Sequence, residues 1–282
     1  MKVTAVVLSW NGKEDTLACL RSLEGEAVHV IVVDNASEDG TAEAVTGVEL
    51  IRNERNLGYA GGMNVGIHRA LEQGADAVLL LNNDVEVEPG AIDALAAAAA
   101  EGAGAVCPVI VFAADPRRIW YSGARFNPRR GYNGRHRTDE PAGQRQTERV
   151  CGAAVLIPRE ILERVGAFDE DLFAYVEDAD WSLRVREGGS RLVVEPRSRV
   201  RHKVSASTGG EGSDSALYYS TRNTLAVCER HAPLGPLGTW RRRAVVLLAH
   251  AGQAVLARRP RRIRAVIEGW RDFRRGRLGQ RG

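Results

Sequence analysis

Residues 77–87 read AVLLLNNDVEV, an apolar run that ends abruptly in two amides and an acid, Asn82, Asn83 and Asp84. A run this continuously apolar predicts a strand that is covered on both faces, as strands are in a parallel sheet. The polar end has two interpretations. It is either an Asx turn, or a place where carboxylate and amide oxygens hold a hard cation and the phosphates that the cation attracts.

The flanking sequence alternates between apolar runs and segments with helical spacing. This alternation predicts βαβ units and therefore an α/β fold, with a mixed, mostly parallel central sheet flanked by helices. The predicted strands are 3–10, 28–35, 48–53, 76–84 and 105–112, and the predicted helices are 13–23, 37–45, 61–74 and 91–102.

Two later segments break the pattern. Residues 115–148 are rich in arginine, glycine and proline, which predicts an irregular or hairpin insertion that lines a cleft. Residues 205–216 (SASTGGEGSDSA) predict a mobile glycine- and serine-rich loop.

Length and composition predict a globular protein. A chain of 282 residues with 44% hydrophobic content can form one large domain, or one domain with an appendage. Four cysteines without a CxxC pair favour reduced thiols in a cytosolic compartment. The opening MKVTAVVLSWNG is typical of a first strand, which argues against a signal peptide.

Charge is distributed unevenly along the chain. The net charge is +3, but residues 240–282 hold 13 arginines against two acids, a net of +11 that leaves −8 for the rest. This asymmetry favours an anionic surface as partner rather than a nucleic acid. The apolar stretch 244–257 is shorter than the ~20 residues that span a bilayer. It is either a helix that docks on the protein or one that lies on a membrane.

Polar residues follow three of the predicted strands. Ligands of parallel sheets bind beyond the carboxyl ends of the strands, so these residues are candidates for a binding site. Each of them alone is equally consistent with an Asx turn or a helix N-cap. They are Ser9 and Asn11 after the first strand, Asp34 and Asn35 after the second, and Asn82, Asn83 and Asp84 after residues 77–81.

Two of these candidates have a specific predicted role. Asp34 is placed to accept hydrogen bonds from a base or a ribose, and Asp84 can supply the carboxylate that holds Mg²⁺ or Mn²⁺. His202, flanked by Arg201 and Lys203, is a second candidate metal ligand, although a single histidine is more often structural.

Two common nucleotide-binding classes do not fit. The first predicted strand is followed by SWNGKEDT, which lacks the glycine fingerprint of dinucleotide-binding folds. The only lysines are Lys2, Lys13 and Lys203, and none follows a GxxxxG run, which excludes a P-loop.

A third acidic cluster lies in FAYVEDADWSLRVREGG, residues 173–189. Glu177, Asp178 and Asp180 open a predicted helix, where acids usually stabilise the helix dipole. Asp180 and Arg184 are four residues apart and predict a structural ion pair. Crowded carboxylates raise one another's pKa, as a general base requires.

Taken together, the ordered motifs LSWNG, VVDNASEDGT, NERNLGYAGGMNVGI, LLLNNDVEV, CGAAVLIPRE, FDEDLFAYVEDADWSLRVREGG and RHK resemble family 2 glycosyltransferases of the GT-A fold, and among them the bacterial rhamnosyltransferase-like branch. The resemblance covers about residues 1–230. It implies a nucleotide-sugar-binding half at 1–112, an acceptor-binding and catalytic half at 113–230, and a basic helical extension at 231–282.

The resemblance also implies roles for individual residues. Asn82, Asn83 and Asp84 occupy the DxD position, with Asp84 and His202 as metal ligands, although Asn82 replaces the first acid. Asp178 matches the general base that deprotonates the acceptor hydroxyl, and the loop 205–216 would close over the donor. The implied donor-binding residues are Ser9, Asn11, Asp34, Asn35, Arg52, Gly61, Gly62, Asn64, Asn82, Asn83, Arg201 and Arg222.

The implied activity is inverting transfer of a sugar from a nucleotide diphosphate donor, with Mg²⁺ or Mn²⁺ as cofactor. The resemblance to this branch implies dTDP-rhamnose as the leading candidate donor and UDP-sugars as the next candidates. It also implies a role in polysaccharide or cell-wall biosynthesis. The acceptor is a glycan, a lipid-linked glycan or a soluble small molecule. The implied location is cytoplasmic, with peripheral contact at the inner face of the plasma membrane, and a dimer is compatible with the sequence.

Two rivals belong to other classes. A nucleotidyltransferase that makes sugar nucleotides usually needs a lysine-bearing glycine-rich run near the first strand, which SWNGKEDT lacks. A non-catalytic sugar-nucleotide-binding protein that docks at membranes would not need Asp84 and Asp178.

Overall fold

The structure is a computed structural model that describes residues 1–204, 213–256 and 260–282. Its centre is one ten-stranded sheet, in which eight strands are ordered β10-β12-β6-β11-β4-β1-β2-β3, while β5 pairs with β12 and β7 with β6. A separate hairpin is formed by β8 and β9. The strands are β1 Val3–Ser9, β2 His29–Asp34, β3 Glu49–Arg52, β4 Ala77–Asn82, β5 Val85–Val87, β6 Ala105–Phe112, β7 Asp115–Tyr121, β8 Ala124–Asn127, β9 Tyr132–His136, β10 Arg145–Thr147, β11 Ala154–Pro158 and β12 Leu192–His202.

Helices cover the sheet and form the C-terminal region. The helices are α1 Lys13–Ser22, α2 Thr41–Ala44, α3 Gly58–Glu72, α4 Ala91–Ala100, α5 Arg159–Val165, α6 Glu177–Glu187, α7 Asp214–His231, α8 Pro236–Leu256 and α9 Ile263–Arg274. The predicted mixed α/β fold, its first strands and helices, and the C-terminal helices are therefore confirmed.

The sheet is parallel on one side and mixed on the other. Strands β3, β2, β1 and β4 are parallel neighbours, whereas β11 runs antiparallel between β4 and β6. β12 is parallel to β6 and antiparallel to β5 and β10. The predicted nucleotide-binding and acceptor-binding halves thus share one sheet.

The centre of the sheet is fully buried. Residues 77–81 in β4 and 154–158 in β11 have both faces covered, so their side chains are buried whichever way they point. This explains why the sequence there is a continuous apolar run rather than an alternating one.

α3 lies very close to the sheet because it carries glycines where side chains would collide. A Cβ on Gly66 would lie 2.2 Å from Cγ1 of Val6, and one on Gly62 would lie 2.5 Å from Cδ1 of Leu8. These distances are far below van der Waals contact, so the glycines allow close packing of the helix on β1.

The insertion at 115–148 contains strands, as the hairpin interpretation predicted. β7 pairs with β6, β8 pairs with β9, and β10 pairs with β12. Most of the predicted mobile loop, residues 205–212, lies outside the described residues. The apolar stretch 244–257 falls largely within α8, and no helix in the described part of the chain is long and apolar enough to cross a membrane.

Candidate active site

The carboxyl ends of four parallel strands meet at one edge of the sheet. Ser9 pairs with Asp34, Asp34 pairs with Arg52, and Leu8 pairs with Asn82. The polar residues that follow these strands are therefore brought together, as the sequence predicts.

The turn after β4 is hydrogen-bonded to the end of β12. β5 pairs antiparallel with β12, with Val85 opposite His202, and the Lys203 amide donates a hydrogen bond to the Asp84 carbonyl at 3.1 Å. This pairing brings together Asp84 and His202, which are 118 positions apart in the numbering. Oδ1 of Asp84 lies 3.1 Å from Nε2 of His202, and both side chains are more than nine-tenths buried.

The Asp84 and His202 side chains have unused polar atoms. Within the described residues, Oδ1 of Asp84 and Nδ1 of His202 have no hydrogen-bond partner, and the 3.1 Å approach lacks hydrogen-bond geometry. A buried polar atom without a partner is rare in a folded protein. A carboxylate and an imidazole are suitable ligands for a divalent cation, so the pair fits an Mg²⁺ or Mn²⁺ ion.

The protein contributes few ligands to such an ion. No group of three histidine, cysteine or acidic side chains that could hold a metal occurs in the ranges that the structure describes. Mg²⁺ usually keeps several waters and is held by one or two carboxylates plus substrate phosphates. An ion at Asp84 and His202 would therefore depend on a bound diphosphate.

A second candidate region surrounds Asp34. Its side chain is fully buried, Oδ2 accepts a hydrogen bond from the Ser37 amide at 3.2 Å, and Nε of Arg52 lies 3.8 Å from Oδ2. Oδ1 has no hydrogen-bond partner in the described part of the chain. Close by is a cavity of about 330 Å³, lined by Ala36, Ser37, Glu38, Arg52, Asn53 and Glu54. This size is within the range of small-ligand pockets.

The loops after β1 and β4 are tied together by side-chain amides. Nδ2 of Asn83 lies 3.1 Å from the Asn11 carbonyl and 3.1 Å from the Thr16 hydroxyl. The Ser9 hydroxyl is 2.8 Å from that of Thr16, and Oδ1 of Asn11 accepts from the Glu38 amide at 2.9 Å. These contacts hold the two loops in place.

Asn35 and Asn64 also bond to the protein itself. The Asn35 amide nitrogen donates to the Gly58 carbonyl at 2.9 Å, and its oxygen accepts from the Leu57 amide at 3.0 Å. Asn64 bonds both the amide and the carbonyl of Phe168, at 3.0 and 2.9 Å. Gly61 lies in the same helix, where a Cβ would meet Cβ of Leu57 at 3.0 Å.

The acidic cluster at the start of α6 lies at the same edge of the sheet. The Asn82 amide donates to the Ala153 carbonyl, and a few residues earlier the Val150 amide donates to the Ser182 hydroxyl. That hydroxyl donates in turn to the Asp178 carbonyl at 2.6 Å. The first turn of α6 is thereby linked to the strand that carries Asn82.

Glu177 has an unusual environment. It is buried, and Oε2 has no hydrogen-bond partner among the described residues. Burial, and after it the charge of Asp178, raises the pKa of Glu177 to about 8. Burial and then the charges of Glu177 and Asp178 raise the pKa of Tyr59 well above its usual value, so Tyr59 also faces this cluster.

The third acid of the cluster is structural, as its spacing predicts. Asp180 is fully buried and accepts hydrogen bonds from Arg184, Arg230 and His231 at 3.0, 3.1 and 2.9 Å. Burial opposes ionisation, but the hydrogen bond from His231 and the charge of Arg184 outweigh it and lower the pKa of Asp180. The ion pair between Asp180 and Arg184 is confirmed.

Two predicted donor-binding arginines bond to the protein itself. Arg201 precedes His202 in β12, so the two side chains point to opposite faces of the sheet, and Arg201 pairs with Glu88 at 3.0 Å. Arg222 is buried, with Nη1 2.6 Å from the Gly279 carbonyl and Nη2 3.1 Å from the Leu172 carbonyl.

The sequence does not reveal two aromatic contacts. The Trp120 ring lies edge-on to His202 and to His136, with ring centroids 4.7 Å apart in both cases. The Tyr59 hydroxyl donates to the Gly152 carbonyl at 2.6 Å. Only weak signals mark these residues: Trp120 is an aromatic residue in an arginine-rich insertion, and Tyr59 stands next to the glycine pair of α3.

Comparison with known proteins identifies the family. The sequence model of "Glycosyl transferase family 2" matches residues 4–166, more than half of the chain. The chain belongs to this family. The predicted resemblance is therefore confirmed, and the protein is a glycosyltransferase. Asp178, His202 and the C-terminal helices lie beyond the matched residues.

Relatives cover most of the chain. An N-acetylglucosaminyl-diphospho-decaprenol L-rhamnosyltransferase of Mycobacterium tuberculosis is 31% identical over an alignment of 260 positions that covers 81% of this chain and 82% of the relative. A dTDP-rhamnosyl transferase, RfbF, of Shigella flexneri is 25% identical over an alignment of 245 positions that covers 82% of each chain.

Solved structures support the fold. The crystal structure of GalNAc-T7 with UDP, GalNAc and Mn²⁺ superposes with a TM-score of 0.62 at 16% identity, covering 92% of this chain and 58% of that chain. The structure of residues 1–349 of TarS from S. aureus gives 0.55 at 16% identity, covering 89% and 72%. This family 2 chain therefore has the fold of these glycosyltransferases.

Proposed function

We propose that this protein is an inverting, metal-dependent transferase that moves rhamnose from dTDP-rhamnose to an acceptor hydroxyl, with Asp178 as general base. The observation that carries the proposal is the buried pair of Asp84 and His202 at the carboxyl edge of the sheet. Their unpaired atoms, Oδ1 and Nδ1, suit a site that is completed by a bound cation.

Asp84 and His202 would hold Mg²⁺ or Mn²⁺ through the carboxylate and the imidazole. When bound, the cation supplies positive charge that offsets the negative charge growing on the diphosphate as it leaves. The protein residues position the donor so that its anomeric carbon faces the acceptor. Trp120 packs edge-on against the His202 ring and limits its rotation.

Asp178 would accept the proton of the acceptor hydroxyl while that oxygen attacks the anomeric carbon. The new carbon–oxygen bond forms as the bond to the diphosphate breaks, so a single displacement inverts the carbon. Asp178 is half-buried at the first turn of α6, where a ligand can reach it. Glu177 beside it has a raised pKa and would be largely protonated at neutral pH, which avoids a second buried charge.

The nucleoside would lie near Asp34, Arg52 and the neighbouring cavity. Asp34 has a free carboxylate oxygen to accept a hydrogen bond, and Arg52 is half exposed beside it. Asn82, whose side chain is half-buried at the end of β4, lies toward the diphosphate. The remaining predicted donor-binding residues would act indirectly, by holding the loops, helices and strands around the donor in place. These are Ser9, Asn11, Asn35, Gly61, Gly62, Asn64, Asn83, Arg201 and Arg222.

The donor is proposed to be dTDP-rhamnose. The names of the two relatives support a rhamnose donor, and a UDP-sugar is the alternative. Thermal-shift measurements with dTDP-rhamnose and several UDP-sugars, each with and without Mn²⁺, test this. We expect the largest increase in melting temperature with dTDP-rhamnose plus Mn²⁺. A larger increase in melting temperature with a UDP-sugar would mean that this UDP-sugar, rather than dTDP-rhamnose, is the donor.

Donor hydrolysis and transfer assays separate an enzyme from a sugar-nucleotide-binding scaffold. We expect slow release of dTDP without acceptor and faster release with a lipid-linked glycan. Binding of the donor without either reaction would favour the non-catalytic alternative.

The acceptor is proposed to be a lipid-linked glycan at the inner face of the plasma membrane. A row of apolar side chains on α8 is exposed, with Leu237, Trp240, Leu248 and Leu256 each more than 60% exposed. The exposed Arg241 lies on the same helix, and residues 258–264 contain five arginines. Apolar side chains combined with arginines suit an anionic bilayer surface.

Sedimentation with vesicles tests this membrane contact. We expect the protein to sediment with vesicles of anionic phosphatidylglycerol and to remain in solution with neutral phosphatidylcholine. Leu248→Glu, at an exposed position, should abolish sedimentation without unfolding the protein. If copies of the protein instead associate in a salt-resistant way and do not bind vesicles, the apolar row is a dimer interface.

A further inference from the structure

The turn in front of Asp178 has an unusual backbone. Phe173 has φ 62° and ψ −65°, and the Ala174 amide donates to the Leu172 carbonyl at 2.7 Å. These values define a γ-turn of the rare, strained form. Residues 171–176 will be called the γ-turn segment.

The strain continues up to the first residue of α6. Tyr175 and Val176 have φ of 66° and 74°, and Glu177 follows directly. A β-branched residue such as Val176 seldom adopts a positive φ. Conformations of this kind persist only where the surrounding structure determines them, and they cluster at functional sites.

Asn223 of α7 binds three carbonyls of the γ-turn segment. Its Nδ2 lies 2.8, 2.9 and 2.7 Å from the carbonyl oxygens of Leu172, Ala174 and Tyr175. The side chain is fully buried. An amide nitrogen has only two hydrogens, so at least one of these bonds is shared. Backbone carbonyls that no regular element can satisfy are here satisfied by one side chain.

Arg222 adds a second set of bonds to the same segment. Its Nη2 donates to the Leu172 carbonyl at 3.1 Å, and its Nε donates to Oδ1 of Asn223 at 2.9 Å. The Nε bond fixes which end of the Asn223 amide faces the turn. Nη1 donates to the Gly279 carbonyl at 2.6 Å, and the Gly279 amide donates to the Asp171 carbonyl at 2.6 Å.

We propose that Arg222 and Asn223 are positioning residues for Asp178, and that they act by holding the γ-turn segment in its strained conformation. This inference rests on the proposed function, because it takes Asp178 as the base. It gives a positioning role to Arg222, which the family resemblance implies is a donor-binding residue, and to its neighbour Asn223.

Three observations distinguish this role from ordinary packing. The bonds converge on one six-residue segment, that segment contains three non-glycine residues with positive φ, and it ends where α6 begins. Without the bonds, the segment would relax toward favoured backbone angles and α6 would start in a different direction. A displacement of about 1 Å at a reacting group can reduce turnover by about 10²-fold.

Asn223→Asp is the most informative substitution. The carboxylate has nearly the same shape as the amide but cannot donate hydrogen bonds, so it would place a negative charge against three carbonyl oxygens. Thr221→Val is the matched control, because Thr221 is equally buried in α7 and bonds His250 and the Leu217 carbonyl instead of the turn. If Asn223→Asp does not fold, Arg222→Lys is used as the test variant in its place.

The expected result is a separation of turnover from donor binding. In Asn223→Asp, kcat should fall by about 10²-fold, while the Kd for dTDP measured by calorimetry stays within twofold of the unmodified protein. Thr221→Val should lower the melting temperature and keep kcat. Turnover in Asn223→Asp equal to that of Thr221→Val would overturn the proposal.

Hydrogen exchange tests the holding role independently of catalysis. Amides 173–178 should exchange faster in Asn223→Asp than in Thr221→Val, and unchanged exchange would overturn the proposal even if kcat falls. If the unmodified protein neither transfers sugar nor hydrolyses any donor, the proposed function fails, while the exchange measurement still decides whether Asn223 holds the turn.

Discussion

The loops between β1 and α3 and the turn between β4 and β5 lie at the same edge of the sheet but use their polar side chains differently. In the first region, Asn11 and Asn35 bond other parts of the chain, as does Asn64 in the adjoining helix α3. In the second, Asp84 and the neighbouring His202 are buried with polar atoms that lack a partner in the described residues.

This contrast indicates which side chains serve the fold and which face a ligand. A satisfied buried amide stabilises a loop, whereas an unsatisfied buried acid is unfavourable unless something else binds it. Asp34 is the exception in the first region, since its Oδ1 has no partner in the same ranges, and it lies near the cavity lined by Arg52 and Ser37. Asp34 therefore fits the same rule, because its unsatisfied buried oxygen lies near a place where a ligand can bind.

The largest expected effect is on catalysis. Asp178→Asn should lower kcat by about 10²- to 10⁴-fold, the usual contribution of a general base, because the amide cannot accept the acceptor's proton. Donor binding should be nearly unchanged. Steady-state kinetics with saturating donor measures this, with Glu187→Gln at the other end of α6 as control. Normal turnover in Asp178→Asn would show that Asp178 is not the general base.

The next effect is on metal-dependent donor binding. Asp84→Asn and His202→Ala should each weaken Mn²⁺-dependent binding of dTDP by at least the 10- to 100-fold that loss of an outer-shell partner causes. Calorimetry with and without Mn²⁺ measures this.

Glu88→Gln is the matched control for Asp84→Asn. It neutralises an acid just past β5, and Glu88 pairs with Arg201. Equal loss of binding in Glu88→Gln and Asp84→Asn would indicate that net charge, rather than a metal site, holds the diphosphate.

A smaller effect is expected from the amides that stabilise loops. Asn64→Ala removes the bonds to Phe168 and should lower the free energy of unfolding by about 1–3 kcal/mol. The Kd for dTDP should change by less than twofold. Urea denaturation and calorimetry on the same sample test both parts. Tenfold weaker donor binding in a folded variant would show that Asn64 faces the ligand.

The sequence predicts the fold well because periodicity and strand-end residues are local signals. Continuous apolar runs gave β1, β2, β4 and β6, and the polar residues after them predicted one edge. The sequence does not show that β5 returns to pair with β12, although this pairing places Asp84 against His202. That contact depends on tertiary structure.

The roles of individual polar residues were harder to predict. Asn and Asp have similar turn-forming patterns in the sequence. In the structure, the Asn83 amide is hydrogen-bonded, whereas Oδ1 of Asp84 has no partner among the described residues. The same limit applies to Arg222. The family resemblance implies that Arg222 binds the donor, whereas its guanidinium bonds backbone carbonyls.

The last prediction concerns the pH dependence of stability. Burial raises the pKa of Glu177 from its usual 4.5 to about 8, so the folded state holds a proton that the unfolded state has released between these values. Its contribution to stability is therefore present at low pH and is lost as the pH rises through about 8. Glu177→Gln has nearly the same shape as the protonated glutamate and is uncharged at every pH, so the variant should not show this decrease in stability.

Melting temperatures of both proteins between pH 6 and pH 9 measure the difference. We expect the gap between Glu177→Gln and the unmodified protein to move in favour of the variant as the pH rises. Glu72→Gln, at an exposed position on α3, should show no such change. A gap that stays constant across this range would mean that Glu177 is ionised in the folded protein. Glu177 would then need a cationic partner, and it would group with the satisfied side chains rather than with Asp84 and His202.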